Sequence, residues 1–219
     1  MRIDHFKYNT EREYNMAESK FMVVVAAKCD ASFRQEALQN MSAFASFLKV
    51  KAGALTVRYG AIGTGPNAGN LIMFQGYEDM NAIENAWDKH QDSADYNNMM
   101  ASGKMSVVVR NIIRLHPLSI EDTTDAHPKY GVLIKFNSSE PMIDEVTKIG
   151  QVFKDNGALT FRYGTLSTGS DAGHRVFGVT YPSMDSIEKA YDAANADTIY
   201  QKALSTVDVD FRNIIRFYS

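Results

Sequence analysis

Residues 53–69 read GALTVRYGAIGTGPNAG and residues 157–173 read GALTFRYGTLSTGSDAG, two gapless segments that agree at 11 of 17 positions. This internal duplication constrains the fold more than any other feature of the chain. The match continues at the same offset of 104, with Tyr77, Met80, Ile83, Glu84, Ala86 and Asp88 returning as Tyr181, Met184, Ile187, Glu188, Ala190 and Asp192. Arg110-Asn111-Ile112-Ile113-Arg114 returns as Arg212-Asn213-Ile214-Ile215-Arg216 at an offset of 102, so the second copy lacks two residues ahead of its last strand. Two copies are too few for a solenoid, which needs at least about three units to bury a continuous core.

Within each copy the apolar pattern switches between the strand and helix periods. Residues 21–27, FMVVVAA, form an unbroken apolar, β-branched run, as in a strand covered on both faces. Ala37, Leu38, Met41, Phe44, Ala45 and Leu48 then mark one face of a helix over 33–50. Residues 55–60 and 71–77 predict two strands joined by GTGPNAG, whose glycines, Pro66 and Asn67 suit a hairpin loop. Asp79 predicts the cap of a second helix with Met80, Ile83, Ala86 and Trp87 turned inward, and residues 106–115 predict a closing strand. The second copy repeats the order: strand 130–136, a helix over about 139–155, strands 159–164 and 175–181, a helix capped by Ser183, and strand 208–217.

Each copy is therefore βαββαβ, a ferredoxin-like unit with both helices on one face of an antiparallel sheet. The predicted organisation is a polar N-terminal arm over 1–19, a first repeat over 20–115, a linker over 116–129 and a second repeat over 130–219. Helices on one face leave the other face of each sheet bare, and the two bare faces must bury each other. The expected fold class is α+β, two tandem ferredoxin-like units packed as an intramolecular, pseudo-dimeric barrel.

Composition narrows the partners. A formal net charge of -3 and the lack of any polybasic run argue against nucleic acid. No apolar stretch approaches the roughly 20 residues of a membrane-spanning helix. The polar first nineteen residues do not resemble a secretory signal, so a cytoplasmic protein with no membrane partner is expected. The single cysteine, Cys29, cannot form an intramolecular disulfide, and no neighbouring base marks it as a reactive thiol. The histidines His5, His116, His127 and His174 show no ligand spacing with acids or Cys29, so neither a metal nor a cofactor is expected. A small-molecule ligand is the expected partner, and a homodimer of the whole pseudo-dimeric chain stays open.

With this element order the chain resembles the dimeric α+β barrel superfamily, which includes antibiotic-biosynthesis-type monooxygenases, muconolactone isomerases and chlorite dismutases. The resemblance covers residues 20–219 at the level of element order. Its sharpest local piece is ENAWDKHQDSADYNNMM (84–100), similar to the monooxygenase-type second helix, with His90, Ser93 and Tyr96 at the matching positions. The second copy departs from it, with Ala194 for the histidine and Asp197 for the serine, while Tyr200 persists. The resemblance implies that one half of such a fusion keeps a functional site.

Five residues follow as candidates. Arg58 and Arg162 each sit in mid-strand, with Thr56 or Thr160 on the same face and Tyr59 or Tyr163 on the other. A guanidinium on a covered face must be paired, either with a bound organic anion or with an internal acid such as Glu84 and Glu188 or Asp88 and Asp192. Arg110 and Arg212 could join the same network. Trp87 is core, or it lines a pocket between helix and sheet together with His90 and Tyr96. A neutral His90 there could take a proton from a phenol or activated carbon acid.

The hairpin loops do not feed a helix as a phosphate cradle would, and their threonines suit ties to the main chain. Two functions remain. The first is a non-catalytic small-molecule, organic-anion binding protein using the arginines and aromatic residues. The alternative is a cofactor-independent monooxygenase or isomerase acting on an aromatic or polyketide-like substrate, with His90 as base and Trp87, Tyr96 and Arg58 placing the substrate. A site confined to one half would favour catalysis, and two similar halves would favour binding.

Overall fold

The computed structural model describes residues 19–123 and 127–218. The proposed arm, apart from Ser19, lies outside the described residues, as do His5 and residues 124–126 of the linker. The first half comprises β1 (Phe21–Cys29), α1 (Arg34–Lys51), β2 (Thr56–Ile62), β3 (Leu71–Tyr77), α2 (Met80–Lys89), α3 (Ala94–Ala101) and β4 (Met105–Leu115). The second comprises β5 (Tyr130–Asn137), α4 (Ile143–Asp155), β6 (Thr160–Leu166), β7 (Arg175–Tyr181), α5 (Met184–Ala196), α6 (Thr198–Leu204) and β8 (Asp208–Phe217). The eight strands close into one barrel in the order β1-β3-β2-β8-β5-β7-β6-β4.

Strand alternation divides the core into three parts. On β2, Val57, Tyr59 and Ala61 face the helices of the first half and join Ala37, Phe44, Leu48, Ile83 and Ile112. The second half builds the matching layer from Phe153, Phe161, Tyr163, Ile187 and Ala190. The alternate residues fill the barrel, where Met22, Val24, Ile62, Ile72 and Ile113 of one half meet Leu166, Val176, Ile215 and Phe217 of the other. The two bare sheet faces thus bury each other, as the duplication implies.

The repeated motif occupies the two seams where the halves join. β2 pairs antiparallel with β8 through Gly60 and Phe217, Ala61 and Arg216, Ile62 and Ile215. β6 pairs with β4 through Gly164 and Leu115, Thr165 and Arg114, Leu166 and Ile113. A Cβ on Gly60 would lie 2.1 Å from the carbonyl oxygen of Arg216, and one on Gly164 would lie 2.6 Å from that of Arg114. Only glycine permits strands this close. The hairpin threonines then cross the seams: the Ile214 amide donates to Thr64 Oγ1 at 2.8 Å, and the Ile112 amide donates to Thr168 Oγ1 at 2.9 Å. Each threonine binds the main chain of the opposite half rather than of its own loop.

The second helix of each half differs from the sequence expectation. It breaks in two, through a short 3-10 turn at His90–Asp92 in the first half and at Asp197 in the second. Ser93 adopts an extended backbone and its hydroxyl accepts from the Tyr96 amide, while Asp197 accepts from the amides of Ile199 and Tyr200. The serine and aspartate at this matched position are both helix caps, which is why either residue serves. Asp79 caps α2 as expected, and Ile83 and Ala86 are buried. Met80 and Trp87, expected inward, are 47% and 39% exposed. The fourth helix starts at Ile143 rather than near residue 139, after Pro141 and a left-handed Met142.

Candidate functional site

In the first half a cavity of about 60 Å³ lies between α1, the α2–α3 break and the sheet. His90 ends α2 and reaches into it with only 6% of its surface exposed. Its ring meets Phe44 edge-on at 5.2 Å between centroids and lies against Tyr96 at 5.0 Å. Nε2 is buried and has no hydrogen-bond partner among the described residues. Burial, then the charge of Arg110, pushes the imidazole pKa down to about 4, so His90 is neutral at physiological pH. Trp87 and Arg110 line the cavity on its exposed side. The buried amide of Gln75, held by the Tyr77 hydroxyl at 2.8 Å, lines its floor.

Five of the eleven methionines, Met41, Met73, Met99, Met100 and Met105, complete the walls. Such a lining can reshape around a ligand larger than the resting space. Arg110, which the sequence allowed either to join Arg58 or to stand solvated at a strand end, is exposed and projects to the helix side of the sheet. The parity of β4 carries that signal, since Arg110 shares a face with Ile112, which packs under the helices. Gln75 gives no comparable signal, because a glutamine in a strand is unremarkable until its burial is known.

At the matching place in the second half the residues close on one another. The Arg212 guanidinium lies 4.7 Å above the Tyr191 ring and donates to the Tyr200 hydroxyl at 2.9 Å. Phe153 packs edge-on against both tyrosines. A cavity of about 40 Å³ remains, with no histidine in its wall. Both halves therefore keep a cavity, but only the first offers an unpartnered buried polar nitrogen in it.

Arg58 and Arg162 lie elsewhere. Both line a separate cavity of about 60 Å³ inside the barrel, with Thr56, Thr160, Phe74 and Phe217. Arg58 therefore does not share a pocket with His90, Trp87 and Tyr96. Arg162 makes a two-pronged ion pair with Asp122 of the linker, its Nη1 donating to Oδ1 at 2.8 Å and its Nη2 to Oδ2. The acids expected as partners, Glu84, Glu188, Asp88 and Asp192, are exposed on α2 and α5 and form no ion pair among the described residues. Arg58 has no ion pair there either, and its Nε is buried without a partner.

Outside these cavities Lys135 bridges Asp171 and Asp210, and Asp210 also meets His174, an internally paired cluster. His116 shares a hydrogen bond of 2.8 Å with Thr165, and His174 one of 2.7 Å with Asp210. Burial pushes the Cys29 thiol up, away from reactivity. Among the described residues no three His, Cys, Asp or Glu side chains come together as metal ligands, and no helix is long and apolar enough to cross a membrane.

The profile of a family described as "Domain of unknown function (DUF6854)" matches residues 19–115 and again 128–217. The sequence matches no curated protein. Among solved structures, one described as a "putative monooxygenase" from Fusobacterium nucleatum superposes with a TM-score of 0.66 at 11% identity, covering 92% of this chain and 94% of that one. Another described in the same words, from Lactobacillus acidophilus, gives 0.57 at 14% identity over 91% and 93%. A heme-binding protein from Thermus thermophilus gives 0.57 at 10% identity over 92% of each chain. At these identities the likeness is one of fold, and the fold is the dimeric α+β barrel formed within a single chain.

Proposed function

Because the chain belongs to the DUF6854 family, whose description assigns no activity, we propose its role from the site itself: the protein binds a small aromatic molecule with an acidic hydrogen, a monocyclic phenol or aromatic acid, in the helix–sheet cavity of its first half. The carrying observation is His90 Nε2, buried and unpartnered at the wall of an aromatic cavity. A buried acceptor without a donor costs about 1–3 kcal/mol, which a ligand hydroxyl or carboxylic acid would recover. Arg110 stands at the exposed side to meet a negative charge. Some 60 Å³ accommodates about four to five water-sized groups, fewer than the atoms of one substituted ring, so a single ring enters only as the methionines move aside, and a fused polyketide does not.

A second reading, proton abstraction by His90 in a cofactor-independent monooxygenase or isomerase, draws on the same nitrogen. Its obstacle is energetic. A base of pKa about 4 facing a phenol near 10 is about six units short, roughly 8 kcal/mol uphill. Only a strongly acidified substrate, its anion paired with Arg110 and the new imidazolium, would close that gap. Binding is therefore the primary reading.

Calorimetric titration with phenols, quinols and benzoates tests it. Wild type is expected to bind members of the set, His90→Ala to lose at least ten-fold in affinity, and Ala194→His to create no comparable site in the second half. Equal affinity in wild type and His90→Ala would overturn the reading. Oxygen uptake, or deuterium exchange at an activated carbon acid, dependent on His90 would promote the catalytic alternative.

A further inference from the structure

The cavity inside the barrel carries an imbalance that the first-half site does not explain. Arg58 and Arg162 come from equivalent positions of the two halves and line one space. Asp122 is the one carboxylate paired there among the described residues, and it is spent on Arg162. Lys154 lies close enough to feel both Asp122 and Arg162, while its own hydrogen bonds go to Thr123 Oγ1 and the Leu159 carbonyl. With Asp122 held by Arg162, Arg58 is left without an ion pair among the described residues in a largely apolar enclosure. An uncompensated charge in such a place costs several kcal/mol.

We propose that the barrel interior is a binding site for a small monocarboxylate, which bridges Arg58 and Arg162 and so completes the charge pairing between the two halves. The unpaired Arg58 selects the class: one guanidinium without a counter-ion calls for one negative charge, and the apolar surround calls for a carbon chain. Hydroxyls are at hand for the second oxygen, because Thr160 and Thr180 share one hydrogen bond of 2.8 Å and Thr56 lines the same wall. Met22, Phe74 and Phe217 supply an apolar surround for a short carbon chain. A volume of about 60 Å³ holds four to five water-sized groups, which sets the size at about two to five carbon atoms. Access runs through the cleft of about 890 Å³ beneath the linker, which shares Arg162 and Leu115 with the interior cavity. Burial and the neighbouring Arg162 both push the Arg58 pKa down, the direction expected of a cation awaiting a counter-ion.

The test is titration with sodium propionate at fixed ionic strength, chloride making up the balance, followed by calorimetry and by the thermal midpoint. Wild type should show saturable binding and a midpoint rise of about 3–5 °C at ten times Kd. Arg58→Met should weaken binding at least ten-fold while leaving the propionate-free midpoint equal to or above that of wild type, since it removes an unpaired buried charge. Asp122→Asn should tighten binding several-fold by releasing Arg162. His90→Ala should leave it unchanged, which separates this site from the helix–sheet cavity. A wild type that responds to propionate no more than to chloride would overturn the proposal. So would an Arg58→Met variant that keeps the response, or that lowers the propionate-free midpoint by several degrees and thereby reveals an internal partner. Inorganic phosphate acting as strongly as propionate would overturn the monocarboxylate assignment.

Discussion

At the same place in the two halves, the same fold makes opposite use of nearly the same residues. Tyr96 and Tyr200 are equivalent, as are Arg110 and Arg212. In the second half Arg212 lies over the Tyr191 ring and donates to the Tyr200 hydroxyl, while the buried Tyr191 hydroxyl has no partner among the described residues. In the first half Trp87 replaces Tyr191 and stands 39% exposed, His90 replaces Ala194, and neither Arg110 nor the Tyr96 hydroxyl has a hydrogen bond among the described residues. The duplicated unit thus pairs its arginine with a tyrosine hydroxyl in the second copy and leaves it without a hydrogen bond in the first, among the described residues. Only the first copy has an unpartnered buried nitrogen, His90 Nε2, in its cavity wall, and a ligand that pairs it recovers what the unpaired group costs.

Four perturbations break or sharpen this comparison. The seams should show the least difference between halves and the largest effect. Gly60→Ala and Gly164→Ala each place a Cβ within 2.6 Å of a backbone carbonyl across the barrel, and each should cost at least about 3–4 kcal/mol in urea unfolding. A variant that unfolds like wild type would remove the close-packed seam as the reason for the repeated motif.

Acid should distinguish the halves next. His90 has a folded pKa of about 4, below its unfolded value near 6.5. Between these pH values the unfolded chain holds more protons, so stability falls as pH drops from 6.5 toward 4. Up to roughly 3 kcal/mol depends on this group. His116, also pushed down, adds a share of its own. His90→Phe should flatten the part of the slope due to His90, measured as unfolding free energy against pH. An unchanged slope would mean that His90 titrates freely.

Hydroxyl deletion reads the pairing itself. Tyr200→Phe removes the acceptor of the Arg212 hydrogen bond and should cost about 1–2 kcal/mol. Tyr96→Phe should cost under about 0.5 kcal/mol, since that hydroxyl has no such bond among the described residues. Equal losses would erase the asymmetry.

The smallest effect belongs to the helix break. Ser93→Ala removes the cap on α3 and should cost about 1 kcal/mol, whereas Ser93→Asp, copying Asp197, should be near neutral. A costly aspartate would mean that the first-half break depends on the serine for more than capping.

Much of the site was legible in residue order. His90 and Tyr96 were singled out through the resemblance of residues 84–100 to the monooxygenase-type second helix, and the barrel-facing placement of Arg58 and Arg162 follows from alternation with Tyr59 and Tyr163. Of the two places open to Trp87, core or pocket wall, the structure shows it half-exposed at the cavity with His90 and Tyr96, a choice helical periodicity alone does not make. The partner of Arg162 could not be read at all. Asp122 sits 40 residues away in a linker without periodic pattern, while the repeated acids that looked suitable occupy exposed helix faces.

By itself the sequence determined the duplication, the βαββαβ order and the burial of two bare sheet faces against each other, because period and alternation are local consequences of backbone geometry. Tertiary structure alone decided that the loop threonines reach across the seams, that Arg110 rather than Arg58 stands with His90, and that Asp122 pairs with Arg162 while Arg58 is left without an ion pair among the described residues. Those meetings join side chains brought together from distant strands, and their pairing depends on where closure of the barrel sets each strand against its neighbour.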